Sequence, residues 1–176
     1  NLANNHTSAF IASTTNTPLV LHSAGVVKVN ADSSTRNEAT VISFAASGGV
    51  GVAGMAAVNI ITSNTEAKID NVNAGSSAKS LASLSVTAAD EIILDGRAGA
   101  VAGGGSAGAG ASATINIVKS RVIADINDTN ALVAGDVTVA ADSSKLADNI
   151  TATAAAGLSL GIGGSALVNL FGAEVK

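Results

Sequence analysis

The chain has 176 residues, no cysteine, a formal net charge of −4, and a composition that is 47% hydrophobic but only 2% aromatic. Disulfide frameworks, thiolate metal sites and cysteine redox chemistry are excluded by the missing thiols. With 12% charged residues and no basic run, the chain also lacks the electrostatic footprint of a nucleic-acid or anionic-membrane binder.

The chain opens on NLANNHTSAFIASTTNTP, without initiator methionine, basic leader or apolar signal core. It reads as an excised internal segment, in which residues 1–22 form a lead-in or incomplete first coil and residues 23–176 a repetitive region. Within that region SAGVVKVNAD (23–32) aligns without gaps on VAGDVTVAAD (133–142), and LSVTAAD (84–90) fits between them with one residue of slippage. A glycine-rich phrase follows each copy: GVGVAGMAAVN (49–59), GAVAGGGSAGAGASATIN (99–116) and GLSLGIGGSALVN (157–169). Each closes on an asparagine between apolar residues, as in Val58-Asn59-Ile60, Ile115-Asn116-Ile117 and Val168-Asn169-Leu170. The internal repeat is therefore about 53–57 residues, a period that belongs to solenoids.

Local alternation, as in Val27-Lys28-Val29 and Leu158-Ser159-Leu160, has the period of a strand with one buried face. Helical spacing is not sustained anywhere. A repeat of this size divides into three coils of about 19 residues or two of about 28, and three is preferred because ordinary strands are about five residues long with short corners. The expected fold is all-β, a parallel β-helix of roughly nine coils and about 43 Å. The glycine-rich phrase is its thinly packed side, where small residues let the coils close up. Val29 and Val139, and likewise Val58, Ile115 and Val168, are expected to point into the core. Asn59, Asn116 and Asn169 then face outward or sit at a corner, about 14 Å apart and too far for an asparagine ladder.

Charge-free stretches at 39–65, 98–118 and 149–173 are long enough to span a bilayer. Their Gly, Ser, Asn and Thr content and their alternation argue against transmembrane helices. The string GGGSAGAG (103–110) has spaced glycines but no Gly-Lys-Ser/Thr and no acidic ribose partner, so it is not read as a nucleotide loop.

Beyond these stretches, chemistry-bearing residues are sparse. His6 and His22 are the only histidines, and Asp32, Glu38, Asp90, Glu91, Asp95 and Asp142 occur singly. Asp125, Asn127, Thr129 and Asp136 follow positions 1, 3, 5 and 12 of a calcium loop, but Asn130 stands where glycine is required, so a strand end and turn is the preferred reading. The sequons at Asn5, Asn127 and Asn149 are short, common strings and assign no function by themselves. A carbohydrate groove needs clustered carboxylates and aromatic platforms, and only Phe10, Phe44 and Phe171 are aromatic. No catalytic, cofactor-binding or metal-binding residue is assigned.

The order Val-x-Val-x-Ala-Asp, glycine-rich phrase, apolar-Asn-apolar triplet and Ala-x-Ile segment resembles the repeat regions of large bacterial exoproteins, the filamentous-haemagglutinin-like adhesins and leukotoxins exported by two-partner or autotransporter routes. The resemblance covers residues 20–176 and rests on degenerate, architectural motifs. It implies a right-handed parallel β-helix forming part of a long fibre, secreted or at the bacterial cell surface, that passes an outer-membrane transporter and contacts a host-cell receptor or glycan through its parent protein. The expected role is structural and adhesive, not enzymatic. The alternatives are a leukotoxin segment that engages a host membrane or receptor, and a β-helix carbohydrate-active enzyme.

Overall fold

A computed structural model describes residues 1–176. All regular structure is β, in three sheets of parallel strands. The first sheet holds β1 (Leu2–Ala12), β4 (Val50–Asp70), β7 (Ala107–Asn127) and β10 (Leu160–Val175). A narrow second sheet holds β2 (Leu19–Leu21), β5 (Val72–Ala74) and β8 (Asn130–Ala131). The third holds β3 (Val26–Ser47), β6 (Ser83–Gly104) and β9 (Val137–Gly157). The chain visits the three sheets in the same order on every turn, which makes the molecule a parallel β-helix.

The coil is three times larger than the 19 residues expected. Asn59 pairs with Asn116 and Asn116 with Asn169 on adjacent strands, while Val29 lies beside Val86 and Val86 beside Val139. One full repeat is thus one coil. Strands of 21 or 22 residues run straight through Asn30-Ala31, Asp32-Ser33, Ala53-Gly54 and Asp142-Ser143, pairs of the kind that mark turns in shorter-stranded proteins. Backbone pairing to both neighbouring coils outweighs those local preferences. The four strands of the first sheet span only about 14 Å along the axis, not 43 Å, but each long strand extends roughly 70 Å across it. The slippage expected at residues 84–90 is also not found. Val27 pairs with Leu84, Val29 with Val86, Ala31 with Ala88 and Asp32 with Ala89 in unbroken register.

The cross-section is a wedge. At its thick end the narrow sheet holds the long sheets apart, and Val27, Val29, Ile69, Val72, Leu81, Leu84 and Val86 fill the gap. Asn71 (φ 53°) and Asp128 (φ 43°) turn the chain there in successive coils, using the tolerance of these two residue types for left-handed backbone. Toward the other edge the long sheets converge until only Ala53, Ala100 and Ala102 lie between them. Nearest the edge even alanine is too large. A Cβ on Gly51 would enter the backbone carbonyl of Gly103, and one on Gly108 that of Ala156. The glycine-rich phrases therefore are the thin side, as expected, because opposing backbones touch.

Phase follows from parity along these long strands. Val29 is 4% exposed and Val86 fully buried, as their inward placement requires. Val139 continues the same column, but it lies on β9, where no further strand covers it, and stays half-exposed. Val58, Ile115 and Val168 do not enter the core. They face outward, and the asparagines beside them face in. Hydrophobicity could not set this phase because Val58-Asn59-Ile60-Ile61 is apolar on both faces.

Two thermal-melting comparisons check this geometry. Val86→Asp should cost at least about 3 kcal/mol by burying an unpaired charge, and Val139→Asp distinctly less because water reaches it. Gly108→Ala should cost about 1–3 kcal/mol by wedging the sheets apart, whereas Gly54→Ala, whose Cβ would meet nothing within 4 Å, should be neutral or slightly stabilising.

Candidate functional site

The polar groups of the interior lie midway across the wedge. Asn59 and Asn116 are fully buried. Asn59 Nδ2 donates to Asn116 Oδ1 at 2.7 Å, and Asn116 Nδ2 donates to Asn169 Oδ1 at 2.8 Å. This is the asparagine ladder that a 19-residue coil would have forbidden. With one coil per repeat, equivalent amides stand one strand spacing apart, where primary amides bond end to end. Asn59 Oδ1 at the foot of the ladder has no partner. Asn1, one position before Leu2 in the same register, turns its amide instead toward Asn37 Oδ1 and the Glu38 carbonyl.

Four residues, or two inward positions, further along β4 and β7 a second polar cluster crosses the interior. Asp90 is 2% exposed and accepts hydrogen bonds from Ser63 Oγ at 2.8 Å and Ser120 Oγ at 2.5 Å. Ser143, next to Asp90 on β9, lies 3.3 Å from Ser120 Oγ and accepts from Lys145 Nζ at 2.5 Å. Burial holds the Lys145 ammonium below the ordinary lysine value of 10.5, opposed by the attraction of Asp90. Asp90 was matched in sequence to Asp32 and Asp142, but both of those face out beside Ala89. No residue is inserted: Ala89 stands where the neighbouring coils have Asp32 and Asp142, and Asp90 stands where they have Ser33 and Ser143, a position that faces inward. Glu91, Asp95 and Arg97 on β6 are one parity and Asp90 the other, which is the signal that could have found it. Enclosed among serines, Asp90 is out of reach of a substrate in solvent and acts as an internal acceptor.

The remaining titratable residues decorate the thick half of the outer surface. Arg36 bridges Glu38 and Asp95 at 2.6 Å each, and its hydrogen bond to Glu38, then that to Asp95, raise its pKa further. Arg121 links Glu66 on β4 at 3.0 Å to Glu174 on β10 at 3.3 Å. The hydrogen bond from Lys176, ahead of the other contacts, lowers the Glu174 pKa. The Arg36–Asp95 pair and the two Arg121 pairs tie neighbouring coils together from outside, with little energy per exposed pair.

His6 lies on β1 beside Asn64, 3.1 Å from its amide, and His22 follows β2 on another side of the coil. Asp125 and Asn127 end β7, Thr129 Oγ1 closes the next turn by donating to the Asn127 carbonyl at 2.8 Å, and Asp136 precedes β9. The structure does not gather these four around a common centre. No three His, Asp or Glu side chains converge as a metal ligand set anywhere in the chain. Asn5 and Asn149, two of the sequon asparagines, sit on inward-facing positions. No helix is long and apolar enough to cross a membrane. The three charge-free stretches are instead the thin half of successive coils.

Replacing Asn116, bonded on both sides, strands two partners, whereas replacing Asn169 strands one at the open end. Asn116→Ala should therefore cost about 2–4 kcal/mol and Asn169→Ala about 0.5–1.5 kcal/mol, read as shifts in the thermal midpoint. For Lys145 the unfolded chain binds the proton more tightly than the folded one. The ammonium's destabilising contribution is full at neutral pH and is relieved as pH rises through the folded value toward 10.5. Urea midpoints of wild type and Lys145→Met, followed from about pH 7 to 11, should shift relative to each other in favour of the wild type. Comparison of the chain with protein families, curated proteins and solved structures finds no match.

Proposed function

We propose that the chain is a non-catalytic structural segment of a large, secreted or surface-displayed bacterial β-helical protein, and that it presents broad flat faces to host or other cells. The observation that carries this reading is the stacking itself. Asn59, Asn116 and Asn169 fall in one line, and the four-residue difference between successive coils is confined to the link between β5 and β6, so the long strands repeat in the same cross-section and every coil offers a strand edge on which the next can form. Lengthening is costly in residues, since each coil of 53–57 residues adds only about 4.8 Å. What the architecture supplies instead is breadth and stiffness, the properties of a display surface.

The polar chemistry favours this reading over a carbohydrate-active enzyme. Glycoside cleavage needs two accessible carboxyl groups facing one another across a cleft, whereas Asp90 is enclosed and Glu38, Glu66, Asp95 and Glu174 hold basic partners. The proposed ligand is a cell-surface receptor or glycan, contacted by the outer faces of the parent protein. Beads coated with the purified chain should be retained saturably on epithelial monolayers or bacterial lawns, in competition with the soluble chain. A polysaccharide panel incubated with it should release no new reducing or unsaturated ends. Sugar release would overturn the reading in favour of an enzyme, and leakage of dye from lipid vesicles in favour of a toxin segment.

A further inference from the structure

The outer surface of the thin half has no charge and no polar side chain on the first sheet. Along β4 every outward position from Val50 to Ile60 is aliphatic or glycine, and the same holds from Ala107 to Ile117 on β7 and from Leu160 to Leu170 on β10. Large side chains lie open there, with Val52 at 69% and Ile162 at 58% exposure. Isolated exposed aliphatics are unremarkable, but a contiguous face of them marks a contact surface. The third sheet also exposes Ile42 and Phe44, but Thr40 and Arg97 stand in the adjacent column and cut that patch short.

The face has relief. A shallow groove runs across the three strands, floored by small residues from Gly54 and Ala56 on β4 to Gly164 and Ala166 on β10. Beside it Val58, Ile115 and Val168 stand in one column as a ridge, about 10 Å from the middle of the groove. Ridge and groove on one face make it complementary to itself. A two-fold axis lying between two copies seats each ridge in the other's groove, the isologous arrangement of most homodimers, with sheets about 10 Å apart.

We infer that this face joins two copies of the chain face to face. An eleven-residue stretch over three strands covers roughly 500 Å², so a pair buries on the order of 1,000 Å², the lower bound for a specific interface. No charge has to be desolvated, because the charges that make up the net −4 lie outside the face. Mutual repulsion of two such copies is what opposes contact, and salt screens it. The surface is independent of whether the parent protein serves adhesion.

Sedimentation equilibrium of the purified chain, from about 5 µM to 1 mM, tests the inference. Wild type should pass from monomer to a plateau at dimer with a Kd of about 10–500 µM, and more tightly at 500 mM than at 50 mM NaCl. Ile115→Lys should remain monomeric at every concentration with unchanged circular dichroism and melting. Lys28→Glu, on the outer surface of the thick half, should associate as wild type does. Should Ile115→Lys fail to fold, Ala111→Arg, at an exposed position on the groove floor, gives the same readout. A wild type still monomeric at 1 mM, growth beyond dimer without a plateau, or undiminished association of the folded face variants would each overturn the inference. So would a monomeric chain that floats with phosphatidylcholine vesicles, which would assign the face to lipid.

Discussion

Every side chain in this molecule is placed by the backbone ladder between coils. Of 108 backbone hydrogen bonds, 90 lie within the strands, and each long strand is locked in register to its equivalent in the next turn. A residue's close neighbours are thus its counterparts about one repeat away, and each inward column must be tolerable to itself. Valine over valine at 29, 86 and 139 meets that condition by packing. Asparagine over asparagine at 59, 116 and 169 meets it by hydrogen bonding, with Asn116 accepting from Asn59 below and donating to Asn169 above.

The same constraint explains the unequal halves of the wedge. Where the narrow second sheet props the long sheets apart, branched aliphatics fill a conventional core. Across the thin half there is too little space for a core, and cohesion depends on strand pairing and on backbone contact between opposing sheets. Stability there is sensitive to volume, not to hydrophobicity. Glycine and alanine on the inside, with larger aliphatics moved to the outside, are two consequences of one geometry.

Between the halves, the buried polar groups contribute specificity of alignment. A one-residue slip of any long strand would place Asn116 or Asp90 against aliphatic neighbours and strand their hydrogen-bonding groups at a cost of several kcal/mol. In sequences so rich in interchangeable Val, Ala and Gly, few other features distinguish one register from the next. Asp90, accepting from Ser63 and Ser120 on two different strands of the facing sheet, also ties the two sheets across the interior.

The sequence by itself determined the class of fold: repeats of 53–57 residues, local alternation and the missing helical period point to a parallel solenoid, and the glycine-rich phrases to its thin side. It did not determine the length of the coil, because alternation has a period but no end mark, and most of the small-residue pairs lie within continuous strands while only a few, such as Gly48-Gly49, stand at a true corner. Phase was lost with it. The charges at Glu66, Lys68 and Asp70 fix the outward parity of β4, and carried back along an unbroken strand they turn Asn59 inward; divided into five-residue strands, that information does not reach residue 59. Only the tertiary structure decided that Asn59 has Asn116 beside it and Asp90 has two serines, because a side chain's surroundings in a solenoid come from the coil-to-coil register, set by the summed pairing of entire strands.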